Sequence, residues 1–122
     1  MGDLTKNLSR YEFACKCECG FNTVDYELVV VIQKACDDLG ARVGINSGCR
    51  CEKHNKAVGG GLNSQHLHGK AADIVMFGVE PEEVQEYFLK EYQSKYGIAR
   101  YNSFSHIDVR NGKARWDLRI KE

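Results

Sequence analysis

Apolar residues recur at helical spacing in two long segments of the chain. The first follows Thr23 or Asp25, either of which can cap a helix, and is predicted to end at Gly40. The second begins at Pro81, which suits a first helical turn, and is predicted to end at Gly97. The apolar faces comprise Leu28, Val31, Ile32, Ala35, Cys36 and Leu39 in the first segment, and Val84, Tyr87, Phe88, Tyr92 and Tyr96 in the second.

Most of the remaining apolar positions are typical of β-strands. Strands are predicted over residues 43–45, 71–77, 98–101, 104–110 and 113–120. Asn111-Gly112 is a strong hairpin signal, so the last two strands are predicted to pair with each other. A short helix over residues 52–58 completes the pattern. The sequence therefore predicts an α+β fold, with helices packed on an antiparallel sheet.

Length and charge indicate one small domain without a generally basic surface. The 122 residues suffice for a modest core, and we expect a single domain over residues 1–122, with the irregular segment 1–22 packed on it. The 17 basic residues balance 17 acidic ones, which argues against broad electrostatic attraction to nucleic acid. We expect a monomer without a membrane span. The start of the sequence shows no signal peptide, so we expect cytoplasmic synthesis.

Two polar side chains in residues 64–73, SQHLHGKAAD, are candidate metal ligands. His66 and Asp73 lie on either side of small residues and just before an apolar strand, and they offer nitrogen and oxygen ligands. Strand alternation places His106 and Asp108 on one face of a later strand, so His106 is the third candidate ligand. Two imidazoles and one carboxylate suit a catalytic zinc ion, which keeps its fourth position for water.

These segments resemble a known family. S-x-H-x-x-G-x-A-x-D, followed by F-x-H-x-D on a separate strand, is similar to the zinc D,D-peptidases and phage endolysin peptidases of the M15 family, which share a fold with the Hedgehog signalling domain. The resemblance extends over most of the chain through INSGCR (45–50), HNKAVGG (54–60), GIARYNSFSHIDVR (97–110) and KARW (113–116). It implies a Hedgehog/DD-peptidase-like fold. It also implies one Zn²⁺ bound by His66, Asp73 and His106.

The resemblance also suggests roles for residues around the metal. Arg50 matches the arginine of an S-G-x-R motif that faces the substrate, and its guanidinium suits a carboxylate terminus or an oxyanion. Ser64 either contacts the substrate or caps the turn. The family's acidic or histidine base positions hold Ser103 and Phe104 here. Asp108 is therefore the candidate general base, with support of His106 as its alternative role.

Two histidines and two aromatic residues near these motifs have less specific predictions. His68 occupies a variable position of the motif and is predicted to face solvent, and His54 is predicted to lie in a loop or on the surface. Tyr101 and Trp116 either form an aromatic wall of the cleft or belong to the core. For Trp116 the core is the favoured interpretation.

Six cysteines are many for a chain made in a reducing compartment. Cys15, Cys17 and Cys19 form one cluster and Cys49 and Cys51 another, while Cys36 lies in a helical pattern and is expected to pack. The clusters fit a second metal ion, a disulfide formed after release from the cell, a redox pair, or unmodified cysteines that pack as small hydrophobic residues. The spacing lacks the C-x-x-C of ordinary zinc knuckles, so a second, cysteine-bound ion is not favoured.

Together these features predict a zinc metallopeptidase that cuts peptidoglycan stem or cross-link peptides, as a D,D- or L,D-carboxypeptidase or endopeptidase. A phage or prophage lysis protein would fit, with access to the wall provided by another factor. The alternative is a zinc-containing peptide- or wall-binding module of Hedgehog-like fold without catalysis.

Overall fold

The chain folds as three α-helices and a five-stranded sheet, within residues 4–17, 19–20, 22–59 and 64–120 that the computed structural model describes. The predicted α+β class is confirmed. The helices are α1 (Tyr26–Leu39), α2 (Glu52–Ala57) and α3 (Pro81–Glu91), and two 3-10 turns cover Arg10–Phe13 and Gln65–His68. No helix in these ranges is long and apolar enough to cross a bilayer.

Helix α1 begins and ends as its sequence predicts. The Asp25 carboxylate accepts a 2.8 Å hydrogen bond from the backbone N–H of Glu27, so Asp25 is the N-cap. Gly40 ends the helix in the left-handed conformation, with φ of 62°. The apolar face is buried in the core. Cys36 on that face is buried too, so its predicted packing role is confirmed.

The sheet joins strands that are distant in sequence. The strands are β1 (Val43–Ser47), β2 (Ala71–Met76), β3 (Tyr96–Arg100), β4 (Ser105–Asp108) and β5 (Lys113–Asp117). Their order in the sheet is β1-β2-β4-β3-β5. All pairs are antiparallel except β3 with β5, which is parallel. The sheet is therefore mixed rather than wholly antiparallel.

The hairpin predicted from Asn111-Gly112 is wrong. Strand β4 pairs with β2 along one edge and with β3 along the other, so it has no edge left for β5. Strand β5 instead pairs with the outer edge of β3. Gly112 keeps the positive φ of a turn residue, 88°, and its carbonyl accepts a 2.8 Å hydrogen bond from the N–H of Tyr96. The turn thus directs β5 to the edge of the sheet.

Helix α3 ends at Glu91, earlier than the aromatic pattern predicts. Tyr92 leaves helical geometry with φ of −122°, and Tyr96 begins β3 with a positive φ of 72°. The segment from Tyr96 onward joins the sheet rather than the helix, because Gly97 pairs with Asp108 of β4. The rings of Tyr92 and Tyr96 still contact, with centroids 5.0 Å apart. The aromatic residues at helical spacing after Glu91 therefore pack on one another beyond the end of the helix and do not extend it.

The main core includes residues from the helices, the sheet and the N-terminal segment. Leu8 and Phe13, from before α1, are fully buried among α1 and sheet residues such as Ile32 and Ile74. The carbonyl of Phe13 also accepts a 2.9 Å hydrogen bond from the N–H of Cys49, after β1. These contacts fix the N-terminal segment beside the loop that leaves β1.

Candidate metal centre

One residue from each strand lies in a row across the sheet at the candidate site. The register aligns Ser47 with Asp73, Asp73 with His106, His106 with Ala99, and Ala99 with Trp116. Side chains directly opposite on neighbouring strands share a face and have Cβ atoms about 5 Å apart. The register therefore brings Asp73 against His106, although 33 positions separate them in sequence.

His66 reaches the row from the 3-10 turn before β2. The Ser64 hydroxyl accepts a 3.2 Å hydrogen bond from the His66 N–H and caps this turn. Nδ1 of His66 lies 2.6 Å from the carbonyl oxygen of Gly48, and it must donate because a carbonyl only accepts. Nε2 of the neutral ring therefore carries the lone pair. It lies 3.4 Å from Oδ2 of Asp73.

His106 is oriented by carboxylates at both ring nitrogens. Nε2 lies 2.7 Å from Oδ2 of Asp108 and donates to it, while Nδ1 lies 2.9 Å from Oδ1 of Asp73. Burial lowers the pKa of His106, but Asp108 and Asp73 raise it more, so its net pKa is above the usual value. The two carboxylates thus favour a positive charge here, which a proton or a metal ion can supply.

The pKa of Asp73 is also set by burial and by neighbouring charged groups acting in opposite directions. Burial raises the pKa of Asp73, but its close contacts with the imidazoles of His106 and His66 lower it more. The net effect holds the pKa of this carboxyl well below its usual range. Asp73 therefore stays ionised in a buried position, as a metal ligand must.

The three side chains fit a single divalent metal ion. His66, Asp73 and His106 are all buried, and one ligand atom from each lies within 4.8 Å of the others. Ligand atoms of a tetrahedral site with bonds of about 2.0–2.1 Å lie about 3.3 Å apart. The contacts of the two imidazoles with the Asp73 carboxylate are of this size, 3.4 Å from His66 Nε2 to Oδ2 and 2.9 Å from His106 Nδ1 to Oδ1. The other ring nitrogen of each histidine has a fixed acceptor, which is typical of metal-binding imidazoles.

Arg50 lies directly beside this site. Its guanidinium donates to the Ser47 hydroxyl at 3.1 Å, to the Asn55 side-chain oxygen at 3.0 Å and to Asp73 Oδ2 at 3.2 Å. Its backbone N–H donates to the carbonyl of His66 at 2.9 Å. Arg50 is thus held rigidly at the cleft, with one contact to a candidate ligand.

A cleft of about 550 Å³ opens onto the candidate metal site. Aromatic residues form one wall, because Tyr101 stacks on Phe104 at 4.2 Å between centroids, and the Trp116 indole N–H donates to the Tyr101 hydroxyl at 3.3 Å. The Trp116 ring also lies 5.0 Å from His106. Placing Trp116 in the core is therefore wrong: it is half-buried and lines the cleft, because the strand register places it in the same row as His106.

Asp108 lies behind His106, away from the candidate metal position. Its side chain is fully buried, and Arg110 donates to both carboxylate oxygens, from Nε at 2.8 Å and Nη2 at 2.7 Å. Gly97 leaves room for it, since a Cβ there would overlap the carboxylate. Burial raises the pKa of Asp108, but Arg110 and His106 lower it more. This geometry is that of a residue that orients a ligand, the alternative role considered for Asp108.

Three polar residues of this region were missed in the sequence. Asn55 of α2 is buried and accepts from Arg50, and it lies within the HNKAVGG segment that carries part of the family resemblance. Arg110 follows Asp108 by two positions, so strand alternation could have identified it. Gln85 of α3 is fully buried and donates to the carbonyls of Tyr101 and Phe104 at 2.9 and 3.0 Å. No local pattern singles out Gln85.

The solvent-facing position predicted for His68 is confirmed, whereas His54 lies in helix α2 rather than in a loop. His68 is exposed, while His54 is half-buried in α2 and donates its backbone N–H to the Cys51 sulfur at 3.4 Å. Neither belongs to the group of His66, Asp73 and His106.

A comparison with protein families covers the segments that carry the three candidate ligands. The family model described as Peptidase M15 matches residues 6–108. The chain belongs to the M15 peptidase family. M15 peptidases are metal-dependent, and this chain brings together a His-Asp-His site that can hold the metal. Membership thus indicates a metallopeptidase. A comparison with curated proteins gives no match.

Proposed function

We propose that this M15 family member is a zinc metallopeptidase that hydrolyses peptidoglycan stem or cross-link peptides. The observation that carries the proposal is the convergence of His66, Asp73 and His106 at the base of an open cleft. Structural zinc sites are usually closed by four protein ligands, whereas catalytic sites have three and remain accessible. Three ligands in a cleft therefore favour catalysis.

The proposed ligands are Nε2 of His66, a carboxylate oxygen of Asp73 and Nδ1 of His106, because these two nitrogens are the ones that lie beside the Asp73 carboxylate, at 3.4 and 2.9 Å. Gly48 and Asp108 fix the two ring orientations by accepting from the opposite nitrogens. Bound zinc would polarise the scissile carbonyl and lower the pKa of a coordinated water toward about 7.

Arg50 is proposed to bind the anionic part of the substrate. Contacts to Ser47, Asn55 and Asp73 use three of its five N–H donors, which leaves two for a ligand as far as the described residues show. A terminal carboxylate or a developing oxyanion suits this planar group. Ser64 also lines the cleft, so it is proposed to contact the substrate in addition to capping its turn.

The residues that line the cleft support a peptide as substrate. One wall is aromatic, with Tyr101, Phe104 and Trp116, and Arg50 lies close to the candidate metal ligands. A stem peptide presents small side chains and a free carboxylate, which match these two features. We also propose that a cytoplasmically made chain acts on the wall as a monomer after another protein grants access, as for a phage or prophage lysis protein.

Purified protein incubated with muropeptides tests the proposal. New amino groups or released D-alanine should appear, and a chelator or His106→Ala should abolish them. His68→Ala is the matched control, since this exposed histidine is two positions from His66 and should leave cleavage unchanged. Released D-alanine indicates a carboxypeptidase, and internal cuts indicate an endopeptidase. Equal cleavage by wild type and His106→Ala would refute the proposal.

The second candidate function is a zinc-containing module that binds wall peptides without cutting them. One observation favours it: among described residues that line the cleft, Asp73 is the only carboxylate, and the positions of a family base hold Ser103 and Phe104. This candidate predicts bound zinc and saturable muropeptide binding with no cleavage of any stem peptide.

A further inference from the structure

Four cysteines converge at a second place, away from the cleft. Cys15, Cys17 and Cys19 come from the N-terminal segment, and Cys51 comes from the loop between β1 and α2. One sulfur from each lies within 4.8 Å of the other three. None of the four lines the cleft at the His-Asp-His site.

The sulfur separations match those of a tetrahedral metal–thiolate site. Cys15 and Cys17 sulfurs are 3.4 Å apart, Cys15 and Cys51 are 3.8 Å apart, and Cys17 and Cys51 are 3.6 Å apart. Four sulfurs at about 2.3 Å from one zinc ion lie about 3.8 Å from each other. An ion about 1 Å out of the plane of these three sulfurs reaches all three at that bond length. The fourth position can be taken by Cys19.

Backbone hydrogen bonds support negatively charged sulfurs in this cluster. The N–H of Cys51 donates to the Cys15 sulfur, and the N–H of His54 donates to the Cys51 sulfur, both at 3.4 Å. Hydrogen bonds to an anionic acceptor are stronger than those to a neutral one. These donors are fixed by the loop and by the first turn of α2, so they are present before an ion binds.

We propose that Cys15, Cys17, Cys19 and Cys51 bind a second, structural zinc ion. The C-x-C spacing argued against this in the sequence, but a turn at residues 16–17 directs Cys15 and Cys17 to the same point. The long-range ligand, Cys51, completes the set. Soft thiolates favour zinc over magnesium or calcium, and four protein ligands leave no place for a reacting water.

The ion would fasten the N-terminal segment to the loop that carries Arg50. Cys51 follows Arg50 directly and caps α2, which contains the Arg50 partner Asn55. A chain of this size has a modest core, and a structural metal adds folding free energy only in the folded state. The inference does not depend on the peptidase proposal, because it concerns a different set of ligands.

Metal content per chain tests the inference directly. Protein purified from a reducing cytosol without chelators should contain two zinc ions. His106→Ala should retain one, and Cys19→Ser should retain only the ion at the His-Asp-His site. Cys49→Ser is the matched control, because Cys49 lies on the same loop but outside the four-sulfur group, and it should retain both ions.

Cobalt substitution gives a second readout that needs no activity. His106→Ala refolded with Co²⁺ should show thiolate-to-cobalt charge-transfer absorption and the visible bands of a tetrahedral site. Cys19→His retains a zinc-ligand type, so in the same His106→Ala background it should still bind one ion with a weaker charge-transfer band, even if Cys19→Ser fails to fold.

Two results would overturn the inference. One is His106→Ala protein that holds no zinc and gives no charge-transfer band with cobalt. The other is reductant-sensitive mass or thiol counts showing that these cysteines pair as disulfides in freshly purified protein.

Discussion

Replacing Asp108 by asparagine distinguishes two roles for this buried carboxylate. Oδ1 accepts from Gly97 and from the backbone and Nε of Arg110, while Oδ2 accepts from His106 and Nη2 of Arg110. Whichever way an asparagine amide turns, its NH₂ faces at least two donors. The substitution keeps the shape but breaks the ion pair and weakens the support of His106.

The expected losses follow from burial. Breaking a buried ion pair costs about 3–5 kcal/mol, and partial exposure of Arg110 to solvent reduces this, so we expect a loss of about 2–4 kcal/mol in the free energy of unfolding. Loss of the partner that orients a metal-binding histidine should weaken zinc binding by about 10–100-fold, or about 1.4–2.7 kcal/mol. Activity should largely return at saturating zinc.

Chemical denaturation and zinc competition against a chromophoric chelator measure these two quantities, with His106→Ala defining the signal from any other bound zinc. The matched control is Asp117→Asn. Asp117 forms the same two-contact pair with Arg119, at 2.9 and 2.7 Å, but its side chain is 34% exposed. A surface pair is worth about 0–1 kcal/mol, so zinc affinity should not change.

A general-base role for Asp108 predicts the opposite pattern. Asp108→Asn would then bind zinc as the wild type does, and kcat at saturating zinc would fall by about 10²–10⁴-fold. That result would refute the orienting role assigned from the geometry.

Three further predictions concern the support of the site. Gly97→Ala should lower the free energy of unfolding by about 1–3 kcal/mol and weaken zinc binding, because the new Cβ overlaps the Asp108 carboxylate. Unchanged zinc affinity in a competition titration would contradict this prediction. Gln85→Ala should leave two loop carbonyls without their donor and lower the free energy of unfolding by about 1–3 kcal/mol in chemical denaturation. The same change at the exposed Gln93 should cost almost nothing, and equal losses would contradict the role of Gln85. Chelation should lower the melting temperature and zinc should restore it, since a ligand at 1,000 times its Kd adds about 4 kcal/mol to the free energy of unfolding. Identical melting with and without chelator would exclude a bound metal.

Local sequence determined the features that depend on neighbouring residues. Helix α1 begins after Asp25 and ends at Gly40, because capping requires a short polar side chain at one end and a positive φ at the other. His66, Asp73 and His106 were identified as candidate ligands from their residue types and motifs, and the structure brings these three together. The spacing of apolar residues also located the three helices and all five strands, with errors mainly at their ends.

Tertiary structure alone decided how distant segments meet. Asn111-Gly112 has the chemistry of a hairpin turn, but both edges of β4 were already paired, so β5 joined β3 instead. That choice aligned Trp116 with Ala99 and placed the indole in the cleft rather than in the core. Cys51 likewise reached the three N-terminal cysteines only because the loop after β1 packs beside that segment. Strand register and loop packing depend on the whole chain, and no local pattern encodes them.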